Sequence, residues 1–165
     1  MNKNPLRVAV AGLGTVGVGV LKILKTNQSL LTKKTGRRVQ VEAVSAKNKN
    51  KRRDIDLDGI QWIKNPLDLV DLDNIDVIIE VIGGSSDPSK ALIEKALKKR
   101  KHVITANKAL LATHGHKLAI LAEKNNVALR FEAAVAGGIP IIKTLTEGLA
   151  SNYVQRIAGV LNGTC

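Results

Sequence analysis

Short apolar segments alternate along this chain with segments whose apolar residues recur every three or four positions. The apolar segments are typical of buried strands and lie at residues 6–11, 39–46, 60–63, 77–81, 102–105, 127–132 and 154–161. The three-to-four spacing places apolar side chains on one side of a helix. Strands that alternate with helices predict a parallel sheet joined by right-handed crossovers. The pattern therefore predicts an α/β fold.

The predicted helices occupy the segments between these strands. They cover residues 16–25 with an extension to 34, 88–99, 107–112, 116–124 and 140–149, and a shorter helical turn opens at Pro66. We expect Gly115 to lie in a loop between two of these helices. The segment 47–58 is polar and charged, which predicts a second, longer loop.

A glycine-rich turn joins the first strand to the first helix. Its residues are Gly12, Leu13, Gly14, Thr15, Val16 and Gly17. In this context the three glycines permit a tight turn, the approach of a pyrophosphate and close helix–strand packing. Free N–H groups at the helix start favour phosphate. A glycine turn without a ligand is the alternative, but the readable strand and helix favour a doubly wound, Rossmann-type dinucleotide-binding domain.

The end of the second strand bears on which dinucleotide is preferred. Sites for NAD(H) usually carry an acid there, to bind the ribose 2′-hydroxyl. Here the strand ends near Ser45 without an acid, and Lys47 follows within a basic segment that extends to Arg53. Cations offset the extra charge of a 2′-phosphate. The sequence favours NADP(H) over NAD(H), with Lys47 best placed, although a solvated loop is the alternative for each cation.

The amino-acid composition bears on whether the chain binds nucleic acid or enters a membrane. The 165 residues are 44% hydrophobic and 2% aromatic, with a formal net charge of +12. The charge is scattered and lacks aromatic residues for stacking on bases, so a solvated basic surface is favoured over nucleic-acid binding. No apolar run reaches membrane-spanning length, and the amino terminus does not resemble a signal peptide. With Cys165 as the single cysteine, we expect a cytoplasmic protein.

Five ordered motifs resemble those of homoserine dehydrogenases. They lie at Ala11–Gly17, Ile79–Gly84, Thr105–Lys108, Phe131–Ile142 and Leu161–Thr164. The resemblance implies the interconversion of L-homoserine and L-aspartate 4-semialdehyde with NAD(P)(H), within the synthesis of threonine, methionine and isoleucine. It also implies a small-molecule substrate and a homo-oligomeric enzyme.

The resemblance also implies roles for residues near the cofactor. The stretch from Leu13 to Val16 would contact the pyrophosphate. Ile82 and Gly83 would lie beside the adenosine ribose or the nicotinamide side, at the carboxyl end of a strand. Lys108 would face the nicotinamide and the substrate pocket, as a fixed positive charge or a hydrogen-bond donor. An exposed lysine without a ligand is the alternative, but a cation at a helix start opposes the helix dipole.

A second glycine-containing loop resembles the family's site for a monovalent cation. The resemblance implies that main-chain carbonyls bind the ion, expected to be sodium, at Glu132, Val135, Gly137 and Ile139. Oxygen ligands suit such hard ions. A structural turn before the helix that begins at Pro140 is the alternative.

The same resemblance suggests how the chain is organised. We expect residues 1–150 to form the NAD(P)-binding domain and residues 151–165 to begin a substrate and catalytic domain that is truncated here. The family's proton-transfer residues are expected beyond Cys165, so the fragment itself should be inactive. Two other classes stay open: another dehydrogenase of amino-acid metabolism with this fold, and a non-catalytic module that binds NADP(H).

Overall fold

A sheet of six parallel strands forms the centre of the computed structural model, which describes residues 4–159. The strands are β1 (Leu6–Ala11), β2 (Val39–Ser45), β3 (Gln61–Ile63), β4 (Val77–Glu80), β5 (His102–Thr105) and β6 (Leu129–Arg130). Their order across the sheet is β3-β2-β1-β4-β5-β6. From β1 the chain adds β2 and β3 on one side of the sheet. It then returns to place β4 on the other side of β1, followed by β5 and β6. This order confirms the predicted doubly wound α/β fold.

The helices lie mainly between successive strands. They are α1 (Thr15–Thr26), α2 (Gln28–Thr35), a 3-10 helix (Pro66–Asp71), α3 (Ser89–Lys98), α4 (Lys108–Lys124) and the short α5 (Glu132–Val135) and α6 (Ile141–Lys143), with a π-helical turn at Thr144–Gly148. Asn65 begins the 3-10 helix, because its side chain accepts a hydrogen bond from the N–H of Leu67. Among the residues described, no helix is both long and apolar enough to cross a membrane.

The central strands β1 and β4 are buried on both faces, as parallel strands covered by helices are, whereas β5 leaves His102 and Ile104 exposed. On one face, Val8, Val10 and Val44 pack with Leu21 of α1. On the other, Ile78 and Val103 pack with apolar residues of α3 and α4, among them Leu92, Leu97, Leu110 and Leu118. Aliphatic side chains therefore fill the core, in keeping with the low aromatic content.

Four predicted elements, two helices and two strands, differ from the structure. The helices predicted at 107–112 and 116–124 form the single helix α4, because Leu110, Leu118 and Ala122 bury one continuous face and Gly115 is tolerated between them. The sixth strand is only two residues long, and Glu132 already begins α5. The strand predicted at 154–161 is wrong over 154–159, where the side chains are exposed and no strand forms; its last two positions lie outside the described residues.

A buried lysine ties together the amino-terminal edge of the sheet. The Lys101 ammonium donates hydrogen bonds to the carbonyls of Leu72 and Ile75, at 2.8 and 2.7 Å. Burial lowers the pKa of Lys101, because desolvation penalises the charged form more than the nearby Asp73 and Asp76 favour it. Lys101 thus satisfies two carbonyls of the loop before β4, on the side of the sheet away from the glycine-rich turn.

Replacing Lys101 should destabilise the fold without touching the opposite edge. Lys101→Met leaves two carbonyls without their donor, so we expect the free energy of unfolding to fall by about 1–3 kcal/mol in urea denaturation. The exposed Lys98→Met, the matched control, should change it by less than about 0.5 kcal/mol. Because the folded-state pKa of Lys101 is lowered, the stability gap to Lys101→Met should widen as the pH rises towards 10.5. Equal stabilities for the two variants would contradict this role.

Candidate functional site

The candidate site lies where the strand order reverses. The carboxyl ends of β1 and β4 are neighbours, with Ala11 paired to Glu80. From this point the two halves of the sheet lead away in opposite directions, the arrangement at which open α/β sheets form a crevice outside the strand ends. Open α/β sheets bind their ligands at such a crevice. The glycine-rich turn and the loop after β4 therefore meet at the position where folds of this class bind ligands.

Gly12 permits β1 to turn against the end of β4. Its φ is +106°, a region that side chains strongly disfavour. A Cβ at this position would lie 2.5 Å from the carbonyl oxygen of Val81. The turn is held on both sides, since Gly12 N–H donates to Ser45 and Val81 N–H donates to Ala11, each at 2.8 Å. Glycine is thus required here by the protein's own backbone.

The rest of the motif divides into a packed part and an open part. A Cβ at Gly17 would lie 1.9 Å from the Gly12 carbonyl oxygen, so α1 packs directly on the turn. The Leu13 side chain is buried in the core. Gly14 differs, because nothing lies within 4 Å of where its Cβ would be. Gly14, Thr15 and Val16 are exposed. The open segment offers the free N–H groups of the first turn of α1 to a ligand.

The basic segment after β2 folds back onto the glycine-rich turn through Arg53. The Arg53 guanidinium donates to four main-chain carbonyls, those of Leu13 at 3.3 Å, Asn48 at 2.7 Å, Lys49 at 3.4 Å and Lys51 at 2.8 Å. It also lies over the Trp62 ring, 5.3 Å from its centre, at a distance typical of a cation–π contact. Arg53 therefore anchors this loop, a role that the sequence analysis missed by grouping it with the other cations.

Lys47 occupies a different position in the same loop. It is exposed and follows the end of β2 by two residues. The loop that contains it is attached to Leu13 of the glycine-rich turn by Arg53. The structure thus connects the basic loop to the glycine-rich turn, the two segments that the sequence predicts to bind the same dinucleotide. Lys47 lies on the β2 side of the crevice.

A buried carboxylate holds the loop that follows β4. The Glu80 side chain is fully buried, and its Oε1 accepts hydrogen bonds from the N–H groups of Ile82 at 2.9 Å and Gly83 at 3.2 Å. The Ser89 hydroxyl donates to the Gly83 carbonyl at 3.1 Å. Gly83 and Gly84 both have positive φ, which lets the loop curl around the carboxylate. Ile82 and Gly83 therefore have a defined backbone geometry at the rim of the crevice.

The start of α4 is tied to the same loop. Asn107 caps the helix, since its Oδ1 accepts from the N–H of Leu110 at 3.1 Å. Its Nδ2 donates to the Gly84 carbonyl at 2.7 Å. Lys108, the next residue, is exposed at the first position of α4. The structure thus brings Lys108 to the same end of the sheet as Ile82 and Gly83.

Sequence reasoning did not identify Glu80 and Asn107 as site residues. The available signal was a carboxylate inside an otherwise apolar strand, because a buried charge requires hydrogen-bonding partners. The sequence does not show that those partners come from the following loop and from β5.

The loop proposed for a cation curls around the side chain of Glu132. That carboxylate accepts from the N–H groups of Ile142 and Lys143, both at 2.9 Å, and so caps the start of α6. The Ile139 carbonyl accepts from the N–H of Ile141 at 2.8 Å. Val135, Gly137 and Ile139 are exposed. Within residues 4–159 no group of three His, Cys, Asp or Glu side chains is arranged to hold a metal, so an ion at this loop would depend on main-chain oxygens.

These features define an NAD-binding domain of the Rossmann type. The model of the family described as "Homoserine dehydrogenase, NAD binding domain" matches residues 12–132. The chain therefore belongs to the homoserine dehydrogenase family, as its five motifs predicted.

Individual relatives agree with this assignment. The homoserine dehydrogenase of Neisseria gonorrhoeae is 43% identical over 97% of this chain, and that of Bacillus subtilis is 43% identical over 96%. The crystal structure of a homoserine dehydrogenase from Thiobacillus denitrificans superposes with a TM-score of 0.81 at 41% identity, covering 90% of this chain and 34% of that one. The chain spans 36% of the length of the two curated relatives.

The glycines of the motif should separate by experiment into structural and ligand-facing positions. Gly12→Ala forces a strained φ and a collision with Val81, so we expect the free energy of unfolding to fall by at least about 2 kcal/mol. Gly14→Ala has an ordinary φ and open space, and should change stability by less than about 1 kcal/mol. It should nevertheless weaken dinucleotide binding, because its methyl group occupies the space a pyrophosphate would approach. Urea denaturation and calorimetric titration measure the two effects, and equal destabilisation by both substitutions would refute the division.

Proposed function

We propose that this chain is the cofactor-binding domain of an enzyme that interconverts L-homoserine and L-aspartate 4-semialdehyde with NADP(H). The observation that carries the proposal is the open segment at Gly14, in a turn that contacts Arg53 of the basic loop through Leu13 and Val81 after β4 through Gly12, at the reversal of strand order. Family membership supplies the reaction. Because the chain spans 36% of its curated relatives, the activity is proposed for the whole protein. The reaction would serve the synthesis of threonine, methionine and isoleucine.

The residues of the crevice fit a dinucleotide. The exposed N–H groups from Gly14 to Val16 would hold the pyrophosphate, with support from the positive end of the α1 dipole. Gly12, Leu13 and Gly17 would keep that segment in place from beneath. When bound, the nicotinamide supplies hydride transfer to or from the carbon that carries the substrate oxygen. Ile82 and Gly83 would line the rim on the side of β4 and β5.

The preference for NADP(H) rests on charge beside the adenosine ribose. β2 ends at Ser45, a buried residue that carries no charge, and the exposed Lys47 follows. An ammonium group there would form a charge-assisted hydrogen bond with a 2′-phosphate. Its hydrogen bond with a neutral 2′-hydroxyl would be weaker. Arg53 is engaged with four carbonyls, so its contribution would be to hold the loop that carries Lys47.

Lys108 is the residue we assign to the substrate side. It stands at the first position of α4, where a positive charge opposes the helix dipole. A ligand oxygen would offset that unfavourable placement. Lys108 would then donate a hydrogen bond to the substrate oxygen and keep a fixed positive charge beside it. We assign proton transfer itself to residues of the whole protein that lie outside this chain.

We propose sodium for the loop from Glu132 to Ile139. The main-chain carbonyls of Glu132, Val135, Gly137 and Ile139 would be its ligands, as in the family pattern. Gly138, with a φ of +82°, supports the curl that such convergence needs. The Glu132 carboxylate caps α6 and would keep the loop rigid around the ion.

Cofactor preference is tested by titrating NADPH and NADH into the chain and into Lys47→Ala. We expect NADPH to bind the wild type more tightly, and Lys47→Ala to weaken NADPH by about tenfold or more while leaving NADH unchanged, since a lost charge-assisted hydrogen bond costs about 1.5–3 kcal/mol. Lys124→Ala, at the far end of α4, is the matched control and should bind both like the wild type. Equal affinities of the wild type for the two cofactors would overturn the argument from the 2′-phosphate.

The division of labour is tested by assaying residues 1–165 directly. We propose that residues 1–150 bind the cofactor and that 151–165 lead into the substrate domain. The chain should therefore bind NADPH yet show no homoserine oxidation, because we assign the acid–base groups of the reaction to a part of the whole protein outside residues 1–165. The Bacillus subtilis enzyme, assayed under the same conditions, is the positive control. Measurable turnover by residues 1–165 would refute this division, whereas failure to bind any dinucleotide would refute cofactor binding.

A further inference from the structure

The Glu80 carboxylate accepts hydrogen bonds from two different elements. Its Oε1 accepts the N–H groups of Ile82 and Gly83, as described above. Its Oε2 accepts the hydroxyl of Thr105, the last residue of β5, at 2.6 Å. Glu80 and Thr105 are register partners on neighbouring strands and both are buried. One side chain therefore joins the loop after β4 to the end of β5.

Thr105 transmits this connection to the start of α4. Because its hydroxyl proton is donated to Glu80, its oxygen is free to accept, and it accepts the N–H of Asn107 at 3.0 Å. Asn107 then caps α4 with one end of its amide and binds the Gly84 carbonyl with the other. The hydrogen bonds form a closed circuit from Glu80 through Thr105 and Asn107 to the β4 loop.

The circuit lies on the β4–β5 side of the crevice, opposite the basic loop. Lys47 and the basic loop follow β2, on one side of β1. The β4 loop and Lys108 follow β4 and β5, on the other side. A dinucleotide that spans the crevice places one mononucleotide on each side. With the adenosine half beside Lys47, the circuit lies beneath the nicotinamide half.

We propose that Glu80 is a positioning residue for the nicotinamide half of the site, acting through Thr105 and Asn107. It sets the spacing between the Ile82–Gly84 backbone and the first turn of α4, and thereby where Lys108 stands relative to the bound ring. This inference rests on the proposed dinucleotide binding and goes beyond it, because Glu80 is buried and reaches the ligand only through the groups it orients.

The chemistry of the circuit requires a carboxylate. All three groups that face Glu80 are donors, and a carboxylate is an acceptor at both oxygens. Glutamine has the same shape but directs an NH2 group at one side. That group would face either the two N–H groups or the Thr105 hydroxyl, so at least one donor in a buried site would be left unpaired. Glu80→Gln therefore changes the hydrogen bonding while keeping the volume.

The experiment compares two ligands on four variants by calorimetry. NADPH probes both halves of the crevice, and adenosine 2′,5′-bisphosphate probes the adenosine half alone. We expect Glu80→Gln and Thr105→Val to weaken NADPH about tenfold and to leave the bisphosphate within twofold. Thr105→Ser keeps the hydroxyl and should bind NADPH like the wild type. Lys101→Met lowers stability at the opposite edge and should bind both ligands normally once corrected for the folded fraction.

A second measurement reports on the circuit without ligand. Amide hydrogen exchange at Ile82 and Gly83 should accelerate at least tenfold in Glu80→Gln, while exchange at Gly12 and Val81 stays at the wild-type rate. If Glu80→Gln does not fold, the pair Thr105→Val and Thr105→Ser provides the same contrast.

The outcomes separate this inference from the proposed function. Parallel weakening of both ligands, or unchanged NADPH affinity in Thr105→Val, would show that the circuit serves only the fold and would overturn the positioning role. If the wild type binds neither ligand, the proposed dinucleotide site itself fails, and the positioning role fails with it.

Discussion

The architecture of the site depends on the close approach of two backbones at the end of β1. The chain passes so near to Val81 and to its own first helical turn that no side chain fits at Gly12 or Gly17. This contact brings β1, β4 and α1 to one point, and it leaves Gly14 as the part of the turn that faces open space. A motif of three glycines thus contains two kinds of constraint. Two glycines are required by the protein, and the third is available for a ligand.

Polar side chains complete what the glycines begin. Arg53 attaches the basic loop to the Leu13 carbonyl on one side of the crevice. Glu80 and Asn107 attach the β4 loop to β4 and α4 on the other. Loops are the mobile parts of most folds, but here each loop at the rim is held by a side chain with several partners. The loops on both sides are therefore held by the protein's own hydrogen bonds, an arrangement that reduces the ordering cost of binding a ligand.

The accuracy of the sequence predictions follows the range of the interactions involved. β1, β5 and the helix after β4 were predicted well, because their apolar patterns are long or clearly bounded. The break predicted at Gly115 was wrong, since the buried face of α4 outweighs the weak helix propensity of one glycine. β6 is shorter than predicted because it pairs only with β5, through two residues. The glycine-rich turn, Lys47 and Lys108 were proposed as site residues from local motifs, whereas the hydrogen-bonding roles of Glu80 and Arg53 were not predicted.

The sequence by itself determined the alternation of strands and helices, the turn that marks a dinucleotide, and the five motifs that identify the family. These features are local, so each can be recognised from the residues of one segment. Only the tertiary structure decided which loops meet, because Glu80 lies 25 residues from Thr105 and Arg53 lies 40 residues from Leu13 along the chain. Hydrogen bonds over such separations depend on the strand order, which no one segment specifies. One local motif thus specifies the glycine-rich turn, while the strand order of the sheet brings the surrounding loops to it.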